Sequence, residues 1–242
     1  VMEVISKSKV EINEGKKTIL DEYDFKGDKL RVVANVMGTE MVRYYLLTKE
    51  GLKDEKTGEV FYSKAALAEK TQESAEAKSY YVQGIKNLKE KNYDQAIENF
   101  SKAIALDLNN VKAYYRRGVA YFGKKQYDMA IEDFNRAIAL EPNYAVAYIG
   151  RGVAYSKKGQ YDKAVEDLNK AIAIDPNIDP KFPSPYYNLA CVYSLQGKES
   201  KACDWLNKAI EKGYKNWGHI KNDSDFDNIR NSDCYKRITS GR

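Results

Sequence analysis

Of 242 residues only one is histidine, three are cysteine and five are proline. The single histidine, His219, excludes a multi-histidine metal centre within one chain. Three cysteines, Cys191, Cys203 and Cys234, are too few and too odd in number for a disulfide framework. No run of about 18 apolar residues occurs, which removes a membrane-spanning helix. The opening residues lack the charged-then-apolar order of a leader, because Glu3, Lys7 and Lys9 follow Val1 at once. The first residue is not Met, so a leader removed earlier is compatible with the sequence, and the compartment is left open between cytoplasm and export. Charge is also scarce in one-sided form. Residues 1–76 hold 13 Lys/Arg against 15 Asp/Glu, and residues 77–242 hold 27 against 20. That mild basic bias falls short of a nucleic-acid-binding stripe, so no specific nucleic acid is expected.

What the chain has in excess is tyrosine, twenty residues in all, and periodicity. Sliding the sequence by 34 residues aligns 111–144 with 145–178, with 20 identical positions. The frame extends upstream to 77–110. Downstream it resumes at 183–216 after four extra residues, Asp179–Phe182. Four copies at one period predict a repeat array.

Each copy reads as two helices. In the second, Tyr114, Gly118 and Tyr121 recur at the spacing of one helical face. Gly123–Gln126 breaks the pattern. Ala130, Phe134, Ala137 and Ile138 then mark a second helix, which stops before Pro142 because proline lacks an N–H and restricts the residue before it. Gly118 and Ala130 are small where two helices must approach. Neither helix can bury its apolar stripe alone, so the copies must stack.

These positions resemble the tetratricopeptide repeat (TPR) family, whose W-x2-L-G-x2-Y…A-x3-F…A…P pattern maps onto Tyr114, Gly118, Tyr121, Ala130, Phe134, Ala137 and Pro142. The third copy supplies Tyr148, Gly152, Tyr155, Ala164, Leu168, Ala171 and Pro176. The outer copies depart: Asn87 and Leu108 replace Tyr and Pro in the first, Ala190 and Tyr214 replace Gly and Pro in the fourth. Residues 187–235 resemble the closing unit of bacterial TPR arrays, and the resemblance as a whole covers about Ser74 to Ile238. The resemblance implies a mostly α fold, a right-handed TPR α-solenoid of four helical hairpins (77–110, 111–144, 145–178, 183–216) followed by a C-terminal capping segment, 217–242. It also implies a non-enzymatic scaffold for protein–protein interaction whose first helices line a concave groove.

A second apolar stripe lies one residue beyond the packing slots. It reads Tyr81, Ile85 and Leu88, then Tyr115, Val119 and Phe122, then Ile149, Val153 and Ser156, and finally Tyr187, Cys191 and Leu195. Together the stripes are wider than a surface helix needs to bury. The surplus points to a peptide or helix partner, with Lys112 and Arg116 placed to meet an acidic group. Self-association through the groove or a strand edge is the alternative, giving a homodimer or larger assembly. The polar slots that clamp chaperone tails in this family hold Tyr81, Ile85, Val146 and Gly150, so that clamp is absent. Arg117 and Arg151 share one slot and are expected to pair with acids of an adjoining helix such as Glu132 or Glu166.

Residues 1–63 alternate instead. Lys17–Asp24, Lys29–Met37, Met41–Thr48 and Glu59–Tyr62 read as strands of a small antiparallel β module, with Lys49–Gly58 as a loop. Residues 64–76 read as a helical connector. No catalytic constellation and no cofactor or metal site is expected. His219 reads as a surface or capping residue, Cys191 and Cys203 as free thiols packed like small apolar groups, and Asp223, Asp225 and Asp227 as an incomplete calcium-loop pattern.

Overall fold

The computed structural model describes the helices and turns of residues 64–178 and 184–240, with side chains from 72 onward, together with strand segments between 20 and 61. The inserted residues Asp179–Phe182 and most of the expected loop Lys49–Gly58 lie outside the described residues. The chain divides into two units, Val1–Glu73 and Ser74–Arg242.

In the first unit the backbone forms β1 (Leu20–Lys26), β2 (Lys29–Val36), β3 (Thr39–Leu47), β4 (Leu52–Asp54) and β5 (Val60–Phe61). Each strand pairs antiparallel with the next in the order β1-β2-β3-β4-β5. The register closes tightly at Lys26↔Lys29 and Val36↔Thr39. Strand β4 falls inside the segment read from sequence as a loop.

The second unit is a mostly helical, solenoid-like array. Helix α1 (Lys64–Lys89) has residues in both units, and its part from Ser74 onward opens the first copy. The hairpins are completed by α2 (Tyr93–Leu106), α3 (Val111–Gly123) with α4 (Tyr127–Leu140), α5 (Ala145–Lys157) with α6 (Tyr161–Ile174), and α7 (Pro185–Leu195) with α8 (Glu199–Glu211). The capping segment adds α9 (Trp217–Asn222), a 3-10 turn (Ser224–Phe226) and α10 (Asp233–Thr239). Asn110, Ser184, Asn216 and Ser232 accept an N-terminal N–H of the helix that follows, which fixes where α3, α7, α9 and α10 begin.

Packing follows the repeat. Phe100, Phe134, Leu168 and Leu206 are fully buried at one slot of α2, α4, α6 and α8. Opposite each ring is a residue without a side chain: a Cβ at Gly84 would lie 2.6 Å from Phe100, and one at Gly118 would lie 2.8 Å from Phe134. Tyr114, Tyr148 and Tyr186 are buried in the slot between copies, as core packing requires. The Tyr148 hydroxyl donates to the Pro142 carbonyl (3.2 Å) and that of Tyr186 to the Pro176 carbonyl (3.0 Å), tying each ring to the end of the preceding hairpin. The turn inside each hairpin needs one residue at positive φ, filled by Lys91 (60°) and Lys125 (61°) in the first two copies and by Gly159 (73°) and Gly197 (69°) in the last two.

Two sequence expectations are corrected. Arg117 and Arg151 do brace the fold, but their acids are Asp133 and Asp167, one residue beyond Glu132 and Glu166. A helix turns about 100° per residue, so the glutamates face away while the aspartates face the arginine. Cys203 is not a free thiol: it is joined to Cys234 of α10, 31 residues away. Cys191 is free and buried.

Candidate partner-binding face

Helix α5 lies against both α3 and α7, and among the second helices no neighbouring pair approaches as closely. First helices therefore stand on the inner side of the stack, and their outward stripe is the face to inspect. Four of its apolar residues, Tyr115, Ile149, Tyr187 and Cys191, are buried, while Tyr81, Ile85, Leu88, Val119, Phe122, Val153 and Leu195 are half-buried. The stripe is thus a covered floor with partly open sides rather than a row of free side chains.

Aromatic contacts explain the floor. Tyr115 meets Phe134 at 5.8 Å between centroids and Tyr144 edge-on at 5.6 Å, while Tyr81 meets Phe100 at 5.8 Å. Phe122 leans on Tyr127 at 5.3 Å. Gly150 opens space here, since a Cβ on it would sit 2.7 Å from the Phe134 ring. Burial, then neighbouring Tyr115, pushes the Tyr144 hydroxyl up to about 12, and burial likewise raises that of Tyr115. Both stay neutral donors at physiological pH.

Arg116 is half-buried, with its guanidinium 5.5 Å from the Tyr115 ring centroid. Lys112 is exposed one turn earlier on the same helix. Neither pairs with a carboxylate among the described residues. Their neighbour Arg117 differs: its guanidinium grips both Asp133 oxygens at 2.7 and 2.8 Å and reaches Ser101 of the preceding copy at 2.9 Å. Arg151 repeats this with Asp167 and with Asn135. Adjacent arginines on α3 thus differ, one holding the stack and the other lying by the Tyr115 ring.

At the fourth copy the face is closed by the chain itself, an arrangement the sequence reading did not reach. Tyr187 stacks on Tyr214 at 4.4 Å, approaches His219 at 5.2 Å and Phe226 at 5.6 Å, and donates its hydroxyl to Asp223 at 2.6 Å. Lys157, at the end of α5, reaches both Asp225 oxygens at 2.9 and 3.0 Å. Cys191 lies under this lid, 3.8 Å from Asp223. Burial, reinforced by Asp223 and Asp225, holds Cys191 as the thiol, and burial drives the Tyr187 hydroxyl far above its usual range. The Tyr214 hydroxyl bonds His219 Nδ1 at 2.7 Å. Ligand atoms of Cys191, Asp223 and Asp225 lie within 4.8 Å of one another, but Lys157 and Tyr187 already meet the two carboxylates. Asp227, the third residue of the alternating pattern, pairs instead with Arg230. No helix among the described residues is long and apolar enough to cross a membrane.

Family models for the tetratricopeptide repeat match residues 111–144, 145–178 and 183–211, and a TPR repeat model matches 88–125. No curated protein is matched by sequence. Among solved structures, the chain is similar to MamA at 30% identity, covering 61% of this chain and 85% of that one with a TM-score of 0.52. MamA 41-end from Desulfovibrio magneticus RS-1 is similar at 26% identity, covering 61% and 84% with a TM-score of 0.52. YrrB, described as a TPR protein with an unusual peptide-binding site, shares the fold at 24% identity, covering 63% and 78% with a TM-score of 0.50. Stacked hairpins, glycine-for-ring packing and these matches lead to one assignment: the chain belongs to the tetratricopeptide repeat family.

Proposed function

We propose that the protein is a non-enzymatic interaction module that holds an apolar peptide or helix against the first-helix face of copies one to three. The observation that carries this reading is Arg116, a half-buried cation without an acidic partner among the described residues, set beside a partly open apolar stripe. Tyr115 and Ile149 form the floor; Tyr81, Ile85, Leu88, Val119, Phe122 and Val153 give the contact surface; Lys112 and Arg116 take an acidic group. Tyr187 and Leu195 belong to the same stripe but lie in the copy that carries the cap. Residues 1–63 are assigned to a small β-rich module, with 217–242 as the segment that closes the array. Burying a few such side chains suits micromolar binding, about 8 kcal/mol net.

Selection from a random peptide library on the intact protein tests this. Enriched sequences should combine apolar residues with Asp or Glu, Val119→Gln with Val153→Gln should abolish enrichment, and Arg116→Gln should remove only the acidic preference. Enrichment that a folded Val119→Gln, Val153→Gln variant retains would reject the face. A dilution series by light scattering separates the self-association reading, which requires mass to rise with concentration.

A further inference from the structure

The capping segment is fastened in two ways that respond to different conditions. Ile220, Phe226, Ile229 and Tyr235 are buried against the fourth copy. The second fastening is covalent, joining Cys203 of α8 to Cys234 of α10. The residues that cover Tyr187 and Cys191, namely Tyr214 at the end of the fourth copy and His219, Asp223, Asp225 and Phe226 of the cap, all lie within the stretch of chain that this bond closes.

We propose that the Cys203–Cys234 disulfide is a redox-controlled latch that keeps the fourth copy's share of the face covered. A dithiol reductant supplies the chemistry. Its thiolate attacks one sulfur, the protein S–S bond breaks, and the reductant's second thiol resolves the mixed disulfide. The products are two protein thiols and one oxidised, cyclic reductant, with two electrons and two protons passed to the protein. Access exists, because Cys234 lines a surface hollow of about 540 Å³ together with Asn207, Ile210, Glu211, Arg237 and Ile238.

A bond between residues 31 apart limits the opened state. Releasing it raises the open-to-closed ratio of the cap by a factor on the order of 10²–10³. The cap remains mostly closed when reduced, because its apolar contacts persist, but it opens far more often. Each opening bares Tyr187 and Cys191 and frees the Lys157 ammonium from Asp225. The face then lengthens by one copy and gains a cation. That consequence for partners rests on the interaction reading above, whereas the opening does not.

Cys191 reports the opening directly. It is the one free thiol of the oxidised protein, and it is the one thiol of a Cys203→Ala, Cys234→Ala variant. Labelling of the full chain with a maleimide under native conditions should be on the order of 10²-fold faster in that variant. Hydrogen exchange on the wild type, with and without dithiothreitol, should show the acceleration in residues 184–240 and not in α2–α4. Labelling within about threefold of the oxidised rate, or exchange that accelerates equally through all copies, would overturn the latch. The exchange experiment decides the matter even where the double variant folds poorly, and neither measurement involves a partner.

Discussion

The second and third copies are held to their neighbours differently from the fourth. In the former, each first helix sends an arginine across to the preceding hairpin: Arg117 to Ser101 and Arg151 to Asn135, each also gripping an aspartate of its own copy. In the fourth, Leu189 and Trp205 occupy those two positions, and Leu189 is fully buried. Cohesion there comes from an apolar cluster that takes in the cap's Ile220, Phe226, Ile229 and Tyr235, supplemented by a disulfide. A unit with neighbours on both sides can use one polar connector repeatedly. A unit at the end has to cover an apolar face with something made for that purpose.

The largest effect should come from the apolar end. Phe226 is fully buried between Tyr187 and Tyr235, and Phe226→Ala should cost about 3–5 kcal/mol. Chemical denaturation would show an early transition confined to the C-terminal copy. A single unchanged transition would mean that the end is no more dependent on this cluster than the middle.

A smaller loss is expected in the middle. Asp133 is only 6% exposed, and burial already holds its carboxyl above the usual range against the pull of Arg117. Arg117→Ala strands that charge and should cost about 2–3 kcal/mol, reduced by the guanidinium's own 20% exposure. Replacing both partners, Arg117→Met with Asp133→Leu, should recover most of it, because a buried pair contributes little beyond an apolar equivalent. If the double variant stays as unstable as the single one, the braces contribute net stability and the contrast between the two regions sharpens.

The smallest effect separates copies one and two from three and four. Lys125 stands at φ 61° where Gly159 stands at 73°. Lys125→Gly should stabilise by about 0.5–1 kcal/mol, since the left-handed backbone penalises a Cβ more than glycine loses in chain freedom. Gly159→Lys should lose a similar amount, both read as shifts in melting temperature. Equal signs for the two exchanges would show that the turns are not equivalent.

Legibility in the sequence followed periodicity. Tyr114, Gly118 and Phe134 recur with Tyr148, Gly152 and Leu168, so the packing slots could be read without coordinates. The arginine slot was legible for the same reason, whereas its acid was misassigned by one residue because Glu132 and Asp133 are adjacent carboxylates and only their helical phase distinguishes them. Nothing periodic marks Cys203, whose equivalent in the third copy is Val165, or Cys234, which lies beyond the last copy. The cap's hold on Tyr187 was hidden likewise, since Asp223 and Tyr214 face it through contacts made once in the molecule. The stripe itself was readable, but how much of it stays open depends on ring contacts such as Tyr115 with Tyr144.

The arginine connectors also bear on how such a chain could grow. The 34 residues of the second copy carry a complete joint: Arg117 to reach backward, Asp133 to hold it, and Asn135 to receive the next arginine. Duplicating that segment in place would present a matching plug and socket on each side. The first and last copies carry Gln83 and Leu189 in the arginine's slot, so neither reaches back to a preceding copy, and lengthening is chemically simple from within and awkward at those two joints.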